Sequence, residues 1–174
     1  MRFLKERLPI SFLRLTLVKQ WKMLSGWWNL LKTLSDRPEV NRLERFLHAL
    51  VDRHSEELEF VVLFGSMARG NWSRGSDYDL LIGLRDEDDK RLIDRMAEFS
   101  PPADMDVEVF PYDRGEWQRM FREYHPLLLE ALEYGVVLWD QGAFADMRET
   151  FRQWRESGRV QPWRSGWKIA DSAA

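Results

Sequence analysis

The stretch Gly65-Ser-Met-Ala-Arg-Gly-Asn-Trp-Ser-Arg-Gly-Ser-Asp-Tyr-Asp79 gathers the side chains of this sequence best suited to chemistry. Its first pair, Gly65 and Ser66, suits a phosphate. Glycine lets an anion approach the backbone closely, and a serine opening a short turn offers a hydroxyl beside free N–H groups. Its last members, Asp77 and Asp79, are two apart, so on a strand both carboxylates leave from one face. Carboxylates so close repel one another unless a cation sits between them. Hard oxygen ligands suit Mg²⁺, which keeps several waters and takes substrate phosphates as further ligands. A second acidic run, Asp104-Met-Asp-Val-Glu-Val-Phe110, alternates strictly and sets Asp104, Asp106 and Glu108 on one face of another strand. If that strand lies beside Asp77–Asp79, one of its acids completes a two-metal site that clamps the attacking and leaving oxygens of an in-line displacement. Arg69 and Ser76, within the same loop, are further candidates for holding a nucleotide phosphate.

Other polar groups have a plainer reading. The glycine-rich loop lacks the Gly-Lys-Ser/Thr of a P-loop, and Asp77-x-Asp79 lacks the following acid and glycine of a calcium loop. Asp86-Glu-Asp-Asp89 reads as a helix start on a solvated face. His48, His54 and His125 are scattered. Arg74 reads as solvated, and Trp72 as a cover for the loop.

The elements that must position these groups alternate between strand and helix. Val40, Leu43, Leu47, Leu50 and Val51 fall on one helical face between Pro38 and His54, with Pro38 in the first turn. Glu59–Phe64 is a short apolar run that reads as a buried strand stopped by Gly65. Ser66–Gly70 starts a short helix, and Asp77–Leu84 is a second strand. Asp86–Phe99 reads as a helix with Leu92, Ile93 and Met96 inward, ended by Pro101-Pro102. Asp104–Phe110 is a half-buried strand. Glu116–Tyr124 and Pro126–Tyr134 read as helices, the second closed by Gly135, and Val136–Trp139 as a last short strand. Phe144, Met147, Phe151 and Trp154 form one stripe on a final helix, and nothing beyond Gly158 is periodic. This alternation indicates an α/β domain. The organisation expected is a basic, aromatic-rich helical extension over residues 1–37, a catalytic domain over 38–157 and an irregular tail over 158–174.

The 174 residues suit one compact core, and a composition 44% hydrophobic and 32% charged is globular. The absence of cysteine excludes disulfides and thiolate metal sites and fits a reducing cytoplasm. Charge is unevenly spread. Residues 1–35 hold seven basic side chains and one acid, a local +6 within a net charge of −3, which leaves −9 for the remainder. An acidic main domain is a poor match for nucleic acid. No membrane span is expected, because lysines and arginines interrupt the longest apolar run, Met1–Leu34; the same interruptions fit a signal peptide poorly. Trp21, Trp27 and Trp28 in the front, and Trp163 and Trp167 in the tail, have no evident core. They suit docking to a partner or self-association into a homo-oligomer.

Gly65-Ser66, then Asp77-x-Asp79, with Ala68-Arg69-Gly70 between them, resembles the minimal nucleotidyltransferases, small members of the DNA polymerase β-like superfamily. The likeness covers roughly residues 39–140. It implies a mixed sheet flanked by helices, ATP or another nucleoside triphosphate as substrate, and two Mg²⁺ ions, with Mn²⁺ as substitute. Asp77 and Asp79 would be metal ligands, and Gly65 and Ser66 would contact the β- and γ-phosphates. The family's third acid precedes a turn and a Glu-led helix. Counting back from Tyr112 and Glu116 selects Glu108, whereas residue type favours Asp106; the reading leans to Glu108 as metal ligand and catalytic group. The resemblance further implies AMP transfer to a hydroxyl on a separately encoded, helical HEPN-type protein, as the antitoxin of a toxin–antitoxin pair. The alternatives are a module that neutralises its partner by contact alone, or a transferase acting on RNA or a small molecule.

Overall fold

The computed structural model describes residues 34–164 and 166–170. The expected helical front, with Trp21, Trp27 and Trp28, lies outside the described residues except for its last few positions. Among the described residues, helix α1 (Val40–His54) presents Leu43, Leu47, Leu50 and Val51 to the core from one stripe. It begins later than the sequence suggests: Pro38 lies before it, and Glu39 at its start takes a left-handed φ of 57°.

Strand β1 (Leu58–Phe64) leads straight into the one-turn helix α2 (Gly65–Arg69). Strand β2 (Tyr78–Leu84) follows, then helix α3 (Leu92–Phe99) and strand β3 (Val107–Tyr112). Helices α4 (Arg114–Arg122) and α5 (Pro126–Tyr134), strand β4 (Val136–Asp140) and helix α6 (Ala143–Glu156) complete the main body. The sheet runs β3-β2-β1-β4. β1 is antiparallel to both β2 and β4, and β3 is parallel to β2, so the sheet is mixed, as expected.

The central strands are apolar on both faces because both faces are covered. Val61, Leu63, Leu80 and Ile82 pack with α1 and Phe99, whereas Phe60, Val62, Phe64 and Leu81 pack with residues of α4, α5 and α6. Alternation from Phe60 to Phe64 of β1 thus feeds two cores at once.

The structure corrects the sequence reading in four further places. α3 begins at Leu92, not Asp86; the Asp88 carboxylate accepts from the Lys90 N–H at 2.6 Å, a local turn that competes with helix. On α3 the buried residues are Arg95 and Phe99, while Ile93 is 61% exposed. Arg95 turns in because it has partners there. Its guanidinium donates to the Pro111 carbonyl at 3.0 Å, the Lys90 carbonyl at 3.1 Å and Asp113 at 3.3 Å, and also to Glu116. β3 begins at Val107, which leaves Asp104 in the preceding turn. The tail beyond Gly158 is not wholly irregular, for β5 (Val160–Trp163) and β6 (Gly166–Ile169) form an antiparallel hairpin. Pro162 obscures its strand pattern; what holds it is Trp167, set edge-on to Phe151 at 5.6 Å and under Arg155.

Candidate active site

Three strands deliver the candidate residues to one edge of the sheet. β1 ends at Phe64, which pairs in register with Asp79 of β2, and Asp79 pairs on its other side with Glu108 of β3. Side chains of register partners stand on the same face, so Asp79 and Glu108 are side by side. Asp77, two residues before Asp79, immediately precedes β2. Asp106 lies just before β3, and its carbonyl accepts from the Tyr78 N–H at 2.9 Å, which fixes the two strand starts together.

The turn after β1 needs a glycine twice over. Gly65 has φ +71°, a left-handed conformation that other residues resist. A Cβ there would also overlap Asp79 Oδ2, with Asp79 Cγ at 3.1 Å. The Gly-Ser turn and the Asp79 carboxylate are therefore in direct contact, with no room for a side chain between them. Ser66 lies in the first turn of α2, and its carbonyl accepts from the Gly70 N–H at 3.1 Å.

The electrostatics at Asp79 all run one way. Burial raises its pKa most, followed by the charges of Glu108, Asp77 and Glu130, and together they push it up to about 6 from an ordinary 3.8. A half-buried carboxylate among other carboxylates is a donor set that fits a divalent cation. Among the described residues, no three histidine, cysteine, aspartate or glutamate side chains gather into a group that could hold a metal. The carboxylates share an edge and a field without converging on a single point.

The remaining candidates have defined places. Arg69 pairs with Glu130 at 2.8 Å and lies over the Tyr134 ring, 4.6 Å from its centroid. Ser76 closes a tight turn: its hydroxyl accepts from the Ser73 N–H at 2.9 Å, and its own N–H donates to the Ser73 carbonyl at 3.0 Å. Asp104, grouped by alternation with Asp106 and Glu108, instead pairs with Arg42 at 2.5 Å. Trp72 packs against the α1-side core under the Arg37 guanidinium, 5.6 Å from its centroid, and Arg37 also donates to the Met67 carbonyl at 3.2 Å. Tyr78 anchors the start of β2 by donating its hydroxyl to the Pro38 carbonyl at 2.7 Å, and burial pushes its pKa up to about 12.

Glu130 is the site residue that sequence reasoning missed. It acts on Asp79 and holds Arg69 from α5. The one signal for it is an acid in the otherwise apolar first turns of Pro126-Leu-Leu-Leu-Glu-Ala-Leu132.

Residues 47–124 match the family described as polymerase beta, nucleotidyltransferase. No curated protein matches the chain. Among solved structures, the chain is similar to a toxin–antitoxin complex with AMP-PNP, at 19% identity over 67% of this chain and 89% of that one, TM-score 0.46. It is also similar to a nucleotidyltransferase from Sulfolobus solfataricus, at 21% identity over 69% of this chain and 88% of that one, TM-score 0.41. A third similar structure is a tri-AMPylated Shewanella oneidensis HEPN toxin in complex with MNT antitoxin, at 18% identity over 68% and 87% of the two chains, TM-score 0.39. The segment that matches this nucleotidyltransferase family spans the whole Gly65–Asp79 loop and Glu108.

Proposed function

We propose that this chain is a minimal nucleotidyltransferase that moves AMP from ATP to a hydroxyl on a separately encoded protein. The observation that carries this reading is the contact between the Gly65 turn and the Asp79 carboxylate, which brings a phosphate-cradling backbone and a cation-binding acid into one place. Gly65 and Ser66 would take the β- and γ-phosphates, with Arg69 and Ser76 at the rim of the same loop. Asp77 and Asp79, with Glu108, would hold Mg²⁺ or Mn²⁺. When bound, such ions neutralise phosphate charge and make a hydroxyl easier to deprotonate. In the transfer, the acceptor oxygen bonds to the α-phosphorus as the bond to the bridging oxygen breaks, and pyrophosphate leaves with the electron pair. Glu108, or Asp106 just before it, would take the hydroxyl proton. The protein's contribution is chiefly positioning and charge placement.

The family resemblance suggests a helical HEPN-type toxin as acceptor, with this chain as its antitoxin in the cytoplasm; the Shewanella oneidensis complex is an assembly of that kind. No helix among the described residues is long and apolar enough to cross a membrane. ATP labelled on the α-phosphate should mark the neighbour-encoded protein; label arriving only from the γ-phosphate would overturn the reading.

A second reading is a module that neutralises its partner by contact alone. A chain carrying Asp77→Asn and Asp79→Asn that still protects cells from the partner would support contact over catalysis. An RNA acceptor is opposed by the acidic main domain, and strong salt-dependent RNA binding would restore it.

A further inference from the structure

A cavity of about 690 Å³ lies away from the Gly65–Asp79 loop, between α1 and the connection from α3 to β3. One wall is a single stripe of α1, with Arg42, Arg45, Ala49 and Arg53 at successive turns. The floor is apolar, formed by Phe46, Leu50, Phe99 and Met105, and Pro101 and Pro102 make the far side. Such a cavity is large enough for a ligand of drug size or a short peptide segment.

The charges of this cleft do not balance. Arg42 is paired with Glu39 and Asp104, and Glu98 is paired with Lys90 at 2.8 Å. His54 is bound to Glu57 at 3.0 Å and packs on Phe99. Arg45 and Arg53 are exposed and have no ion pair or hydrogen bond among the described residues. The cleft thus keeps two uncompensated positive charges, eight residues apart, or about 12 Å along the helix. That separation is too wide for one phosphate group, and the wall between the two charges is Phe46, Ala49 and Leu50 rather than a row of stacking aromatics. Residues 1–33 are strongly basic, so they are electrostatically mismatched to this wall. The complementary occupant is a protein segment with an apolar centre flanked by acids.

The cleft also leads to the candidate site. Met105 lines it and also lines the small adjoining cavity beside Ser76, Tyr78 and Asp106. Glu108 follows along the same chain segment, about three strand residues or 10 Å on. We propose that this cleft is the docking groove for the acceptor protein, which binds it through an acid-flanked apolar segment and so presents its hydroxyl at the Glu108 edge. The inference rests on the protein-acceptor reading above for its partner.

Two measurements on the full chain test it. In the first, p-benzoylphenylalanine replaces exposed Ala49, between the two arginines, and the neighbour-encoded protein is added under illumination. In the second, the kinetics of labelling that protein from α-labelled ATP are compared for the wild type and Arg45→Glu/Arg53→Glu. Both arginines are exposed helix positions, so the double variant should fold. A cross-link to an acid-flanked apolar segment is expected, with the KM for the protein acceptor raised at least about tenfold and both the KM for ATP and kcat unchanged. A cross-link without any labelling keeps the groove and sinks the transfer. Labelling with an unaltered KM, a cross-link confined to residues 1–33, or displacement by an RNA oligomer rather than by the acceptor overturns the groove. Neither cross-link nor labelling overturns both.

Discussion

Two acidic clusters lie at opposite ends of β3, and they treat their charge in opposite ways. Beyond the C-terminal end, Asp113 and Glu116 share the guanidinium of fully buried Arg95 and cap α4 with a reciprocal hydrogen-bonded box. At the N-terminal end, Glu108 stands beside Asp79, and the influences on Asp79 are burial and three further carboxylates, all raising its pKa. One cluster carries its counter-cation as a side chain. The other accumulates negative charge that a bound cation would relieve. A protein that can bury an arginine so completely at one end has the means to neutralise carboxylates; Asp79 is left in a negative field, as the proposed cation site requires.

That contrast can be broken most forcefully at the compensated end. Arg95→Ala strands Asp113 and Glu116 without their cation and should cost about 3–5 kcal/mol in denaturant unfolding. A loss below about 1 kcal/mol would mean the cluster is not the structural lock described. At the other end, Asp77→Asn with Asp79→Asn should leave the fold intact and weaken Mg²⁺–ATP binding at least about 100-fold, or ~2.7 kcal/mol, by calorimetry; equal affinity would dissolve the distinction between the clusters. Gly65→Ala joins the two effects. Its left-handed φ and the overlap with Asp79 should destabilise the chain by about 2 kcal/mol and displace the carboxylate, read as a lower melting temperature together with weaker nucleotide binding.

The smallest effect has the opposite sign. Asp79 titrates at about 6 when folded against an ordinary 3.8, so between those values the folded state holds the extra proton. Stability then falls as pH rises through that window, is fully diminished above about pH 6, and is unaffected below 3.8. Asp79→Asn alone, in metal-free buffer, should therefore raise stability above pH 6 by about 1 kcal/mol, after allowance for solvent screening of a half-exposed group, with no gain near pH 3.5. Melting curves of both proteins across pH 3.5–8 check this, and a destabilised variant at pH 7 would contradict the uncompensated field.

How visible each cluster is in the sequence follows from how local it is. Gly65, Ser66, Asp77 and Asp79 lie within one loop, so spacing alone identifies them. Glu108 needs the register of a parallel neighbour, which alternation suggests but does not fix; the same alternation wrongly grouped Asp104, which the structure gives to Arg42. Glu130 reaches the site from a helix beyond the whole motif. Arg95 was illegible because a charged residue on an amphipathic helix reads as solvated, and its partners follow it by 18 and 21 positions. The β5–β6 hairpin escaped because its four-residue strands hold Pro162 and Lys168, and its support is tertiary, from Phe151 and Arg155.

The strand order has a consequence for how the molecule comes into being. The Gly65 turn, proposed to cradle phosphate, and Asp79 belong to one antiparallel pair, β1 and β2, contiguous in sequence. Glu108 arrives only when β3 docks in parallel, after a crossover that includes α3. Contacts near in sequence close at lower entropic cost than distant ones. A nascent chain can therefore acquire its cradle before its third carboxylate, with Arg95 of the crossover helix securing the far end of β3 as that strand docks. In pulse-labelled refolding, amides of β1 and β2 should gain protection ahead of those of β3.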